Sequence, residues 1–150
     1  MASIQNDLLD GIAQLIATAG IATYSTTGTY TSGQTGIFFK IVNSTPDRIV
    51  TLTAYQISDD PSVPLSKLGV QVRCRGLQDP RDVDELGDSI FTILHGLTNV
   101  MFGSVHVIQC FRQSSITLGQ DDLKRWDRAD SYYLDVDVPA TVLRPTGGTY

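Results

Sequence analysis

Carboxylates grouped on a helix could bind a divalent metal ion or act as general acids and bases, and one stretch of this chain concentrates them. Four acidic side chains fall close together there: Asp82, Asp84, Glu85 and Asp88. Asp79 is a good helix N-cap and Pro80 suits the first helical position, so the acids would lie near the positive end of the helix dipole. The pattern therefore indicates a solvated helix start rather than a catalytic site.

The histidines and cysteines do not complete a reactive site. His95 and His106 lack the HxxxH or HExxH spacing of metal ligands, and Cys74 and Cys110 lack CxxC spacing and fall in strand patterns, where they fill apolar space. The chain also has no GxSxG, GxGxxG or phosphate-binding glycine loop. We expect no enzyme, cofactor or metal site, and the opposing hypothesis is a hydrolase or metal-dependent nuclease that uses the helix carboxylates with one histidine.

The acidic helix belongs to a strand–helix unit, residues 68–96, around which the chain is organised. Apolar residues alternate with polar or small ones along the strand: Leu68, Val70, Val72 and Cys74 against Gly69, Gln71, Arg73 and Arg75. This is the pattern of a strand with one buried face. An apolar helical stripe follows and consists of Val83, Leu86, Ile90, Ile93 and Leu94. Gly96 is placed to end the helix.

Arginines on the polar side of this strand are candidate interaction residues. Arg73 and Arg75 share that side, and Arg112 from a later strand could project beside them. Two interpretations remain open at this point. The guanidinium groups either solvate the polar face or pair with carboxylates of a neighbouring subunit.

The part of the chain before this unit predicts a helix and two strands. Ser3 can cap a first amphipathic helix, which Gly20 is placed to end. Residues 37–42 and 48–57 read as strands, and the turn-forming residues 43–47 between them predict an antiparallel hairpin.

The part after the unit predicts two more strands, residues 104–112 and 132–138. Alternation in the first would place Val105, Val107 and Phe111 on one face, with Cys110 on the other. We expect a turn at residues 98–99 and irregular structure over residues 114–129. The predicted fold is α+β, with a mostly antiparallel sheet of about five strands and two helices packed on one face.

Three segments outside this scaffold are candidates for contact with partners. Residues 23–36 are rich in Thr, Ser and Gly and include Tyr30, so we expect a long mobile loop, either a binding segment or a plain connector. Residues 113–129 contain Trp126. Residues 139–150 are expected to form a flexible C-terminal tail after a single domain over residues 1–138. A host-directed binding module that uses the first loop is a third class of function.

Composition narrows the class of protein. The chain has 150 residues, enough for one domain with its own core, and no apolar run approaches the roughly 20 residues of a membrane span. A net charge of −5 argues against tight binding of nucleic acid, although DNA could pass through such a protein without being held. The start of the chain lacks a secretion-signal pattern, so we expect folding in a cytoplasm.

Three stretches of the chain carry a family resemblance. They read LGVQVRCRG over residues 68–76, DPRDVDELGDSIFTILHG over 79–96 and FRQSSITLGQDDLKRWDRADSYYLDVDV over 111–138. Together they resemble the minor capsid or tail-terminator proteins of long-tailed bacteriophages. The resemblance covers roughly residues 68–138 and brings no catalytic residue with it.

What the resemblance implies is a structural virion protein. Such proteins form a ring, commonly of six copies, that caps the head-proximal end of the tail tube and joins the tail to the head connector. The implied partners are further copies of the chain, the tail-tube protein and connector or neck proteins, with DNA passing through the ring, no membrane and assembly in the host cytoplasm. A head-side neck, head-closure or minor capsid protein is the alternative. The residues expected at a subunit or partner interface are Arg73, Arg75, Arg112, Tyr30 and Trp126.

Overall fold

The computed structural model describes residues 3–144, and within them the chain forms two helices and one six-stranded sheet. The helices are α1 (Ile4–Thr18) and α2 (Pro80–Leu94), and the strands are β1 (Gly36–Phe39), β2 (Ile49–Asp59), β3 (Leu65–Arg75), β4 (Thr98–Phe102), β5 (Val105–Gln120) and β6 (Trp126–Asp137). The strand order is β1-β2-β3-β6-β5-β4. The predicted α+β class is confirmed, with six strands where about five were expected.

Both helices begin and end at the predicted signals. The Ser3 hydroxyl accepts a hydrogen bond from a backbone N–H of the first turn of α1 at 3.3 Å, and the Asp79 carboxylate does the same for α2 at 3.0 Å. Gly20 and Gly96 follow the helices with φ of 76° and 89°. Glycine adopts this left-handed conformation without a Cβ clash, so the chain can turn away there.

The hydrophobic core lies between the two helices and one face of the sheet. Apolar side chains from both helices and the central strands are fully buried there, among them Leu9, Ile16, Leu52, Val70, Ile90 and Leu134. Helix α1 approaches the end of β4 so closely that a Cβ added at Gly11 would lie 2.2 Å from the Phe102 ring. Burial of this apolar surface is the main stabilising contribution.

Neither helix packs on the second face of the sheet, which we call the open face. Register places Thr53, Gln71, Ser131 and Tyr133 side by side on it. At the β1 end the face is covered by loops, and Tyr30 packs its ring 5.2 Å from that of Phe38. The open face is therefore polar and accessible mainly in its central part.

The first two strands are parallel, so the predicted antiparallel hairpin is wrong. Gly36, the first residue of β1, pairs with Ile49, the first residue of β2. Residues 40–48 therefore carry the chain back along β1 before β2 begins. The turn-forming residues are present, but they belong to this longer return connection, which starts at Lys40 with φ of 66°.

Two further segments differ from the prediction because their side-chain pattern is irregular. Residues 98–99, expected to be a turn, begin strand β4, in which Asn99 has φ of 52°. Residues 114–129, expected to be irregular, form the far half of β5, a short turn and the start of β6. Register shifts at Arg112/Ser114 and Thr117/Gly119 interrupt the period-2 pattern of β5, which hides the strand from sequence reasoning.

A third register shift in β5, between Val107 and Gln109, exchanges the faces of the residues that follow it. Cys110 is fully buried in the core, whereas Phe111 packs on the open face with its ring 5.9 Å from that of Tyr133. The predicted grouping of Phe111 with Val107 is therefore wrong. One inserted residue moves the side chains that follow it, up to the next register shift, to the opposite face.

The turn between β4 and β5 is attached to α1. The Asp7 carboxylate accepts hydrogen bonds from the Ser104 hydroxyl at 2.7 Å and from its backbone N–H at 3.1 Å. These bonds hold the pKa of Asp7 below its usual range. Among residues 3–144, no helix is long and apolar enough to cross a membrane.

Candidate assembly surfaces

The side chains that could support chemistry are held in structural roles. Burial raises the pKa of the Cys74 and Cys110 thiols to about 12, so both are protonated and poorly nucleophilic at neutral pH. His95 accepts the backbone N–H of Arg112 through Nδ1 at 3.0 Å, and His106 hydrogen-bonds to a β4 side chain. Within the described part of the chain, no group of three or more His, Cys, Asp or Glu residues could hold a metal ion.

Three acids of α2 are engaged in ion pairs that fasten the helix to β6 and to the residue before β2. Asp82 accepts from Arg48 Nε at 3.0 Å, and Asp84 and Asp88 lie 3.3 Å and 2.9 Å from the two terminal nitrogens of Arg128. The predicted N-terminal dipole effect accounts for their location in sequence, but these partners account for their orientation.

Arg75 projects from the same face of β3 as Arg73, as predicted, but it is buried, so the expectation that it solvates this face is wrong. It is only 3% exposed because the connection between β1 and β2 folds over this end of β3. Its Nε donates to the Asp47 carbonyl at 2.8 Å, and its Nη2 donates to the Pro46 carbonyl at 2.7 Å and to the Ser44 carbonyl at 3.3 Å. Burial and the nearby Arg125 lower the pKa of Arg75, which remains charged at neutral pH.

Arg73 and Arg112 lie on opposite faces and do not meet. Arg73 is on the open face, with Nη2 3.1 Å from a carboxylate oxygen of Asp127. Arg112 is on the helix-covered face, where its guanidinium lies 4.1 Å from the centroid of the Phe91 ring. Strand β6 separates β3 from β5, so the predicted group of three arginines does not form.

Tyr30 and Trp126 each attach a loop to the body of the domain. The Tyr30 hydroxyl donates to the Ile37 carbonyl at 2.6 Å and accepts the Ser25 N–H at 2.9 Å. Trp126 donates its indole N–H to the Gln78 carbonyl at 3.1 Å, at the entrance to α2. Whether either residue, or any of the three arginines, contacts a partner stays a prediction.

The loop over residues 23–36 has no regular structure beyond one bridge between Thr23 and Gly36, as expected. Its hydrogen bonds to the body include one from the Tyr24 hydroxyl to Asp10 at 2.7 Å. Its mobility stays a prediction. The predicted tail begins with residues 139–144, which contain neither helix nor strand, and residues 145–150 lie outside the described part of the chain.

Arg128 is the centre of a charged cluster that sequence reasoning missed. Its guanidinium binds Asp130 at 2.9 Å as well as the two α2 acids, and Asp130 is 2% exposed. The hydrogen bonds that Arg128 donates to Asp130, and then that to Asp88, raise the pKa of its guanidinium. Gly87 makes room for it, because a Cβ there would lie 2.8 Å from the guanidinium carbon. The signal in the sequence was the alternation of basic and acidic residues at Arg125, Asp127, Arg128 and Asp130.

The long hairpin of β5 and β6 carries three well-exposed apolar side chains. Its far half, residues 113–129, which we call the distal hairpin, runs past the end of β4. Ile116, Leu118 and Leu123 are 60%, 47% and 59% exposed there. Exposed apolar side chains beside an unpaired strand edge are typical of an assembly surface.

Comparison with known proteins identifies the family. The family model described as bacteriophage tail terminator protein matches residues 15–138, which include the last turn of α1, the whole sheet and α2. A comparison with curated proteins finds no match. The matched segment extends well beyond residues 68–138, on which the sequence resemblance rested. The chain belongs to the bacteriophage tail terminator proteins, a structural family without enzymatic activity, and its place is the virion tail.

Proposed function

We propose that the chain caps the head-proximal end of the tail tube as a closed ring of identical subunits, six being the expected number, and joins the tail to the head connector. The match to the tail terminator family over residues 15–138 carries this proposal. It favours the terminator over the head-side neck, head-closure and minor capsid proteins.

The surface of the domain supports a role in assembly. A ring of identical subunits needs two different patches on each subunit, so that one patch of each copy meets the other patch of the next. The central part of the open face, the distal hairpin and the loop over residues 23–36 are different parts of the surface, at the middle of the sheet, at the far end of β5 and β6 and beside β1. Arg73, Tyr30 and Trp126 lie on or beside them and, with Arg112 and Arg75, remain the candidate contacts.

The charge of the chain suits a passage for DNA. A net charge of −5 gives no general attraction to phosphate, so a ring of this protein would let DNA pass without retaining it. In this proposal residues 1–138 form the ring domain, and residues 139–150 serve as an arm towards the tube or the connector.

Deletion of the gene from the phage tests the assignment. Loss of a tail terminator should give tails of irregular length, because nothing stops polymerisation of the tube. Normal tails beside heads that leak DNA would instead identify a head-side protein. In vitro, negative-stain microscopy with purified tubes should show the protein at one tube end, and a protein that never binds tube ends would contradict the proposal.

A further inference from the structure

We propose that the outer edge of β5 over residues 113–120 pairs with the outer edge of β2 over residues 54–58 of a second copy of the chain. The sheet would then continue from subunit to subunit. This inference rests on the proposed function, because it supplies the two different patches that a closed ring requires.

Both edges leave backbone groups without a strand partner. Strand β4 pairs with β5 no further than Gln109, and β1 pairs with β2 no further than Leu52. Beyond these points, the outer sides of both strands face no other strand in the described part of the chain. Such a row of unpaired N–H and C=O groups is a template for another strand.

Both edges lack two of the features that usually prevent pairing, a charged side chain and a proline. Residues 113–120 (QSSITLGQ) and 54–58 (AYQIS) contain no charged residue and no proline. The outermost strands are better protected: β1 is bridged by Thr23, and β4 has five residues with a left-handed Asn99. Each edge does have a bulge, at Gln56/Ser58 in β2 and at Thr117/Gly119 in β5, so pairing would have to accommodate an irregular strand. Proteins that must remain monomeric usually add lysine or proline on a long edge, and the lack of both here favours a partner.

The topology allows the two edges to join. Strand β2 is antiparallel to β3, β3 to β6, and β6 to β5, so β5 is antiparallel to β2 and would meet β2 of the next copy in antiparallel register. The two free edges lie at opposite ends of the sheet along the strand direction. The free edge of β5 lies beside residues 126–131 of β6, whereas the free edge of β2 is level with residues 132–135 of β6. Neighbouring copies would therefore be offset along the strands, which keeps β1 and β4 clear of each other and tilts the strands as a closed sheet requires.

The side chains near the two edges are complementary in character. Ile116 and Leu118 on β5 are 60% and 47% exposed, and Tyr55 and Ile57 on β2 are 37% and 38% exposed. Ile116 and Tyr55 both lie on the open face by register. Pairing of the edges would bring these apolar groups together and remove them from water.

Lysine substitutions at the two edges test the inference, each with a control of matched exposure. Ile116→Lys and Ile57→Lys should each raise the concentration needed for ring formation at least tenfold in sedimentation. Leu123→Lys, at 59% exposure in the hairpin turn, and Val63→Lys, at 40% exposure in the β2–β3 connection, should leave it within twofold. Equal behaviour of edge and control variants would overturn the inference.

Cysteine cross-linking identifies which edges meet, and the two native thiols are buried and do not interfere. A chain with both Ile116→Cys and Ile57→Cys should give a ladder of covalent oligomers with a short bifunctional maleimide, whereas each single variant should give none. Dimers from Ile116→Cys alone would indicate β5 pairing with β5 and overturn the proposed arrangement.

Failure of the inference can be told apart from failure of the proposed function. Rings that form on tube ends despite the edge lysines would reject strand pairing and leave the capping role intact. A chain that neither oligomerises nor binds tube ends would reject both.

Discussion

Replacing Arg75 with methionine is expected to reduce the free energy of unfolding by about 3 kcal/mol. The side chain is 3% exposed and donates two short hydrogen bonds, of 2.8 Å and 2.7 Å, to the carbonyls of Asp47 and Pro46. Hydrogen bonds to a charged group contribute about 1.5–3 kcal/mol each, so the pair would be worth about 3–6 kcal/mol. Methionine also removes a buried charge, which recovers part of that loss and leaves a net cost near about 3 kcal/mol.

Arg73→Met is the matched control, on the same strand and the same face. Arg73 is 35% exposed in its side chain and makes one ion pair at 3.1 Å, so its removal should cost about 1 kcal/mol or less. Urea unfolding followed by far-ultraviolet circular dichroism measures both values, and the loss of about 3 kcal/mol should appear as a melting temperature lower by roughly 6–12 °C. Equal losses in the two variants would refute the assignment of Arg75 as the residue that holds the β1–β2 connection.

Three further predictions concern α1, the β4–β5 turn and the thiols. Gly11→Ala should lower the free energy of unfolding by about 1–3 kcal/mol in urea, because the new methyl would meet the Phe102 ring at 2.2 Å; an unchanged midpoint would contradict this packing. Asp7→Asn should make the free energy of unfolding less dependent on pH in acid. The pKa of Asp7 in the folded chain lies below its usual 3.8, so the carboxylate contributes its full stabilisation above pH 3.8 and loses it as the pH falls through the folded pKa. The urea midpoints of the parent chain and the Asp7→Asn variant should therefore converge as the pH falls, and a difference that does not change with pH would contradict the role of Asp7. A thiol reagent at neutral pH should modify neither Cys74 nor Cys110 until urea is added, and rapid labelling of the native chain would show that they are not buried.

The helices and the central strand are predictable because their signals are local. Ser3 and Asp79 cap the helices through hydrogen bonds within the first turn, and the alternation of β3 reports directly on a face that is buried along its length. These features need no knowledge of the rest of the chain.

The remaining strands depend on contacts between distant residues, which local pattern does not encode. The turn residues 43–47 are the same whether the strands beside them are parallel or antiparallel, so only the pairing of Gly36 with Ile49 distinguishes the two. In β5, three register shifts break the alternation and disguise the distal hairpin as irregular chain. Strand–strand pairing and bulges are decided by tertiary structure.

The candidate interaction residues show the same limit. The alternation of apolar and polar residues in β3 predicts that Arg75 is a surface residue. Its hydrogen-bond acceptors, however, are backbone carbonyls of the β1–β2 connection, such as that of Asp47, 28 residues away in sequence. Arg128 binds acids 40 and 44 residues away, on α2. A buried charge is recognised only when its partner is known, because the partner is what makes its burial tolerable.

The hydrogen bond between Trp126 and Gln78 gives the protein its own optical probe. Trp126 is the only tryptophan in the chain, and its indole N–H is held by a carbonyl at the entrance to α2, near the turn of the distal hairpin. Indole emission is sensitive to the polarity around the ring, so docking of any partner at this end would alter the fluorescence of the unmodified protein. Assembly on tail tubes can therefore be followed in real time without a label.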